Sequence, residues 1–127
     1  MRSVPVVIET EHFFKSKVGD EAVYQGLYLE ADDYPYAEFE SLFDGPTVLL
    51  LDGIEDPQNL GAACRTAYLF GVSGVVIPKN RAAEVTSTVC RASAGAVEYL
   101  KIAVISSIAQ ALERLKEAGF WSFGADA

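Results

Sequence analysis

Histidine, cysteine and methionine are nearly missing from these 127 residues: one His, two Cys and one Met. With so few soft ligands, a zinc site of the usual Cys/His type is excluded, and His12 has no second candidate ligand near it. No metal is expected. Cys64 and Cys90 fall in segments that read as helices, so they are expected as buried thiols in a reducing, cytoplasmic setting, with no disulfide framework. Basic residues are scarce too. Ten Lys and Arg against eighteen Asp and Glu leave a formal charge of −8, which opposes nucleic-acid binding by bulk electrostatics. No apolar run reaches bilayer length, and the N-terminus lacks a basic, apolar, small-residue signal pattern, so no membrane partner is expected.

What is present is a regular alternation of short apolar runs and amphipathic stretches after Thr47. Residues 47–52, 74–78 and 99–105 read as strands, and FWSFGADA (120–127) starts another. Between them, residues 56–70, 86–95 and 107–118 read as helices, the last with Ile108, Ala111, Leu112 and Leu115 as its apolar stripe. This order implies an α/β fold, a parallel sheet with flanking helices and right-handed crossovers. Upstream, residues 3–9 and 22–31 read as strands from their alternation, with a helical turn at Glu11 to Ser16. Residues 35–46 open on Pro35, close on Asp44-Gly45-Pro46 and read as a linker with a short helix at 37–42. The expected organisation is therefore a first part over 1–34, a linker over 35–46 and a second domain over 47–127.

The stretch LLLDGIEDPQNLGAACRTAYLF, residues 49–70, holds the chemistry. Asp56 is suited to cap the first helical turn, and Pro57 is pre-set for the first helical position. Leu60, Ala63, Cys64 and Ala67 make one apolar stripe, while Gln58, Gly61 and Arg65 lie along another face. Gly61 costs about 1 kcal/mol of helix propensity against Ala and leaves a gap one turn before Arg65, open to a ligand or another backbone. Asn59 stands near the positive end of the helix dipole. An amide, a missing side chain and a fixed cation within seven residues suit an anionic, hydroxyl-bearing ligand. Arg65, Lys79, Arg81 and Arg91 also share a 27-residue window whose only acid is Glu84, which permits a basic face on an acidic chain.

The string LDGIEDPQNLGAACRTA strongly resembles the first motif of the SpoU (TrmH) RNA 2′-O-ribose methyltransferases of the SPOUT superfamily. Asp52, Pro57, Asn59, Gly61, Arg65 and Ala67 match in order and spacing. The resemblance continues through GVSGVVIPKNRA, the run Ser93-Ala94-Gly95-Ala96 and WSFGADA, and covers about residues 20–127. It implies part of a SPOUT (alpha/beta knot) domain, preceded by part of an L30e-like, RNA-binding α+β domain. The Gly-Glu-Gly-type and Ser-Val-Ala-type motifs that supply most cofactor contacts and the knot do not occur in these residues. The resemblance therefore implies an enzyme in class and an incomplete one in this chain.

The implied reaction is methylation of a ribose 2′-hydroxyl of rRNA or tRNA by S-adenosylmethionine, in a homodimer. Arg65 matches the arginine that handles substrate, with Asn59 beside it; clamping phosphate and stabilising the ribose oxygen suit a guanidinium better than proton removal. Lys79 and Arg81, just past a strand end, are expected to contact RNA. Gly124, Ala125 and Asp126 are expected at the edge of the cofactor site. The alternative is a non-catalytic RNA-binding or dimerisation module that keeps the first-motif helix for structure.

Overall fold

Apolar runs that do not alternate need cover on both faces, and most of this chain is arranged to give it. The structure, a computed structural model, describes residues 4–19 and 25–125. The chain falls into two units, Met1–Asp33 and Tyr34–Ala127.

In the first unit, the Thr10 hydroxyl accepts the Phe13 amide and opens α1 (Glu11–Val18), which Gly19 ends. A Glu11–Lys15 ion pair of 2.9 Å spans one turn. The Phe13 ring meets those of Phe14 and Tyr28 edge-on. The two strands expected here are corrected: neither 4–9 nor 25–31 joins a ladder, and 22–24 lie outside the described residues. Val6 and Ile8 are 89% and 97% exposed. Alternation prepares a strand, but a strand forms only with a partner to bond its backbone.

In the second unit, β1 (Val48–Leu50), β2 (Gly74–Pro78) and β3 (Lys101–Ile105) form a parallel sheet in the order β1-β2-β3. α2 (Pro57–Leu69) links β1 to β2, and α3 (Ser87–Ala92) lies between β2 and β3. On their side of the sheet Val75, Ile77 and Ile102 pack with Leu60, Cys64 and Val89. On the other side Val76 and Ala103 pack with Phe39, Leu42 and two residues of α4 (Ile108–Glu117), Ala111 and Leu115. Odd and even positions of β2 thus feed two cores, which is why GVVIP is apolar throughout.

α2 begins and ends where its sequence says it must. Asp56 Oδ1 accepts the Gln58 amide at 2.9 Å, with Pro57 at the first helical position. At the other end Gly71, at φ +68°, lets Val72 N–H reach the Ala67 carbonyl at 3.0 Å while its own N–H bonds Tyr68. That is a Schellman ending, which the left-handed conformation of a glycine makes inexpensive. Ser107 caps α4 in the same manner as Asp56, through the Gln110 amide.

Two further expectations are corrected. Residues 35–46 are not a free linker: Phe39 and Leu42, in a 3-10 turn (Phe39–Leu42), are buried in the second core. Ala37 N–H bonds the Ile102 carbonyl at 2.8 Å, Lys101 Nζ donates to the Ser41 carbonyl, and Arg114 pairs with Glu40 and covers the Phe39 ring. Residues 120–125 form no strand among the described residues; Trp121 and Phe123 are exposed. With Leu112, the exposed member of the α4 stripe, they border a groove of 660 Å³ along β1.

Gly61 decides the spacing of α2 and α3. A Cβ there would stand 2.5 Å from Ala92 Cβ, 2.9 Å from the Val89 carbonyl oxygen and 3.0 Å from Ser93 N. Gly61→Ala is therefore expected to destabilise the fold, despite Ala's better propensity, by about 1–3 kcal/mol in urea denaturation. A gain in stability would show that the helices part freely.

Tyr34 yields a pH prediction. Its hydroxyl donates to the Val97 carbonyl at 2.7 Å, with the Leu100 carbonyl at 3.1 Å, and burial, then nearby Glu98, pushes its pKa up from 10.0 to about 12. The fold favours the neutral phenol, so its contribution is complete below pH 10 and disappears as pH rises through about 12. Between those values the melting temperature of the natural protein should fall more steeply than that of Tyr34→Phe. Parallel curves would rule out the buried phenol as a source.

Candidate functional site

In a parallel sheet the loops after each strand collect at one end, and helices begin there with unpaired N–H groups. Here the loop after β1 leads into α2, the loop after β2 carries Lys79, Asn80 and Arg81, and β3 leads through Ser106 and Ser107 into α4. These loops are tied to one another. Ala83 N–H donates to the Ile54 carbonyl at 2.8 Å, and Lys79 N–H donates to the Ile105 carbonyl at 2.8 Å. Asp52, Asn80, Arg81, Ser106 and Ser107 line a crevice of 380 Å³ at this end.

Asn59 is the third residue of α2, exposed at that end of the sheet. Arg65 is exposed as well, and neither side chain has a hydrogen bond or ion pair among the described residues. The two do not stack over one another. Six helical residues separate them by about 9 Å along the axis and roughly 120° around it. Of the two occupants left open for the gap at Gly61, α3 takes it with its backbone. Arg65 lies one helical turn on from Gly61 and is exposed.

Lys79 and Arg81 are exposed cations on the loop after β2, and Arg81 holds a left-handed backbone, φ +54°. Gly124 and Ala125 are exposed, and a Cβ on Gly124 would meet nothing within 4 Å. Asp126 lies outside the described residues.

Groups that resemble nucleophiles have other tasks. Ser93 is fully buried, its hydroxyl bonded to the Cys90 carbonyl at 3.0 Å. Cys64 is sealed in the core, and burial pushes its thiol up to about 11, so at neutral pH it stays protonated. Burial and the Glu98 carboxylate also raise Cys90. Among the described residues no cluster of His, Cys, Asp and Glu is placed to hold a metal, and no helix is long and apolar enough to cross a membrane.

Residues 46–127 match the SpoU rRNA Methylase family. The chain belongs to that family. It is 42% identical over 111 residues to a Bacillus subtilis protein, YacO, named as a TrmH family tRNA/rRNA methyltransferase, covering 82% of this chain and 45% of that one. An uncharacterized tRNA/rRNA methyltransferase of Synechocystis is 40% identical over 126 residues, 94% of this chain and 33% of that one. The chain thus spans between a third and a half of the length of these SpoU relatives. Among solved structures, the AdoMet-bound rRNA methyltransferase of Sinorhizobium meliloti superposes with a TM-score of 0.54 at 29% identity, over 66% of this chain and 32% of that one.

Sequence reasoning missed the tyrosines that hold this end of the SpoU fold. Tyr36 accepts the Val85 amide at 2.9 Å, and its ring meets Tyr34 at 5.1 Å. They flank Pro35, Tyr34 closing the stretch read as a first part and Tyr36 near the start of the stretch read as a linker; the signal available was two large aromatic residues on either side of that proline.

Cap and cation on α2 should separate cleanly in stability measurements. Asp56→Ala removes the acceptor of the Gln58 amide and should cost about 1 kcal/mol. Arg65→Ala removes an exposed, unpaired group and should shift stability by less than about 0.5 kcal/mol. Equal losses would mean that Arg65 holds α2 to its surroundings.

Proposed function

We propose that the protein methylates the 2′-hydroxyl of a ribose in rRNA or tRNA, with Arg65 and Asn59 on the RNA side of the reaction and Lys79 and Arg81 as RNA contacts. The observation that carries this reading is the pairing of a family match over 46–127 with a first-motif helix whose apolar stripe is largely buried and whose Asn59 and Arg65 are exposed. Leu60, Cys64 and Ala67 fix α2 in the core, Gly61 fixes it against α3, and Asn59 and Arg65 are left exposed, with no side-chain hydrogen bond or ion pair among the described residues. Fixed elements with free polar tips suit a reaction that depends on alignment.

S-adenosylmethionine is the methyl donor in this reading, as in the AdoMet-bound relative. Gly124 and Ala125 fit its cradle poorly by themselves: both are exposed, bring only backbone groups, and enclose no space that a Cβ would fill. The assigned work is therefore on the RNA. A guanidinium is a poor base, so taking the hydroxyl proton is not the work assigned to Arg65. It donates hydrogen bonds in a planar fork, which holds a phosphate and stabilises negative charge developing on the ribose oxygen. Asn59 donates and accepts through its amide near the N-terminus of α2, where the helix dipole favours the same charge.

The decisive variant is Arg65→Ala in the protein carrying these residues. Incorporation of labelled methyl from S-adenosylmethionine into RNA should fall at least about a hundredfold, the scale for losing a donor aimed at developing charge. Its melting curve should not change. Full incorporation by a normally folded Arg65→Ala protein would remove Arg65 from the site.

A further inference from the structure

We infer that Tyr36 is a positioning residue for the loop between β2 and α3, presetting Lys79 and Arg81 for RNA. The inference rests on the RNA reading of that loop given above. It starts from one bond: the Tyr36 hydroxyl accepts the Val85 amide at 2.9 Å from 49 residues away in the chain.

The loop runs from Lys79 to Thr86 and is tied to the rest of the unit at three places. Lys79 N–H bonds the Ile105 carbonyl at its start, Ala83 N–H bonds the Ile54 carbonyl midway, and Val85 N–H bonds Tyr36 near its end. The first two ties are backbone to backbone and belong to the sheet ends. The third is made by a side chain, so it is the one that a single hydroxyl controls. Between the ties Lys79, Asn80 and Arg81 are exposed, and Arg81 keeps a left-handed backbone that non-glycine residues adopt only when their surroundings hold them there.

Tyr36 is itself held firmly enough to act as an anchor. Its ring packs edge-on against Tyr34, whose hydroxyl bonds the Val97 carbonyl, and the next residue, Ala37, bonds Ile102. The anchor chain therefore runs from the outer edge of β3 through the aromatic pair to the loop. Yet Tyr36 is 39% exposed, so its hydroxyl is not needed to fill a core. A loop ordered before RNA arrives loses less freedom on binding, and that saving is what the bond would supply. The charge on the loop is untouched by it.

The test uses the 127-residue chain, Tyr36→Phe, Lys79→Ala, Arg81→Ala and the Tyr36→Phe, Arg81→Ala double variant, with a labelled single-stranded RNA oligonucleotide of mixed sequence as probe. Tyr36→Phe should weaken binding about two- to tenfold, the scale for re-ordering one or two side chains. The salt dependence of binding should stay unchanged, because no cation is lost. Exchange of the Val85 amide hydrogen should quicken while β2 and β3 amides keep their protection, which separates a loosened loop from a damaged fold. Because part of the effect of Tyr36 passes through Arg81, the double variant should lose less affinity than the two single losses combined. Unchanged affinity, unchanged Val85 exchange, or losses that simply add would each overturn the inference and leave the RNA reading standing. If Arg81→Ala and Lys79→Ala both bind RNA as the natural chain does, the RNA reading of the loop fails and Tyr36's role fails with it.

Discussion

Burial of β2 on both faces is the constraint from which the rest of the second unit follows. Val75 and Val76 are each fully buried, and they point to opposite sides of the sheet. Each is worth about 1.5–3 kcal/mol only if something covers it. α2 and α3 cover one side; α4 and the 3-10 turn at Phe39–Leu42 cover the other. Once helices must return over one face to keep strands parallel, every loop that follows a strand lies at the same end. The candidate site is therefore placed by the requirements of the core. Its polar residues occupy positions that the core leaves free.

Much of this was legible because it depends on neighbours in sequence. Asp56-Pro57 announces a helix start, Gly71 a helix end, and the spacing of Leu60, Cys64 and Ala67 a buried face; each is a local rule obeyed locally. What stayed hidden depends on distant partners. The alternation at 4–9 and 25–31 satisfied the pattern of a strand without a strand to pair with. Phe39 and Leu42 sat between a proline and a Gly-Pro pair, so the segment read as a linker with a short helix, although a single tight turn puts residues three apart on one side. Nothing short-range told that this side would face Val76 and Ala103.

The site was legible in the same uneven way. The identities of Asn59, Arg65, Lys79 and Arg81 came from motif and position, and all four are exposed. Their mutual geometry did not come from the sequence. Asn59 and Arg65 share a helix without sharing a face, and the gap at Gly61 belongs to α3. Tyr36 escaped notice because its role rests on one bond across 49 residues, which leaves no periodic trace.

A chain with a formal charge of −8 has to concentrate its cations if it is to hold a polyanion. Arg65, Lys79, Arg81 and Arg91 are all exposed, while the acids lie mostly before Asp56. At physiological salt the screening length is about 8 Å, so a phosphate at the loop after β2 responds to the nearest cations far more than to the total charge. The same screening means that flexible cations gain little, since each must be ordered for a small return. An acidic chain that holds a polyanion thus depends on fixing its few basic residues. In this fold, close packing at Gly61 fixes the helix that bears Arg65, and the bonds of Lys79, Ala83 and Val85 hold the loop that bears Lys79 and Arg81.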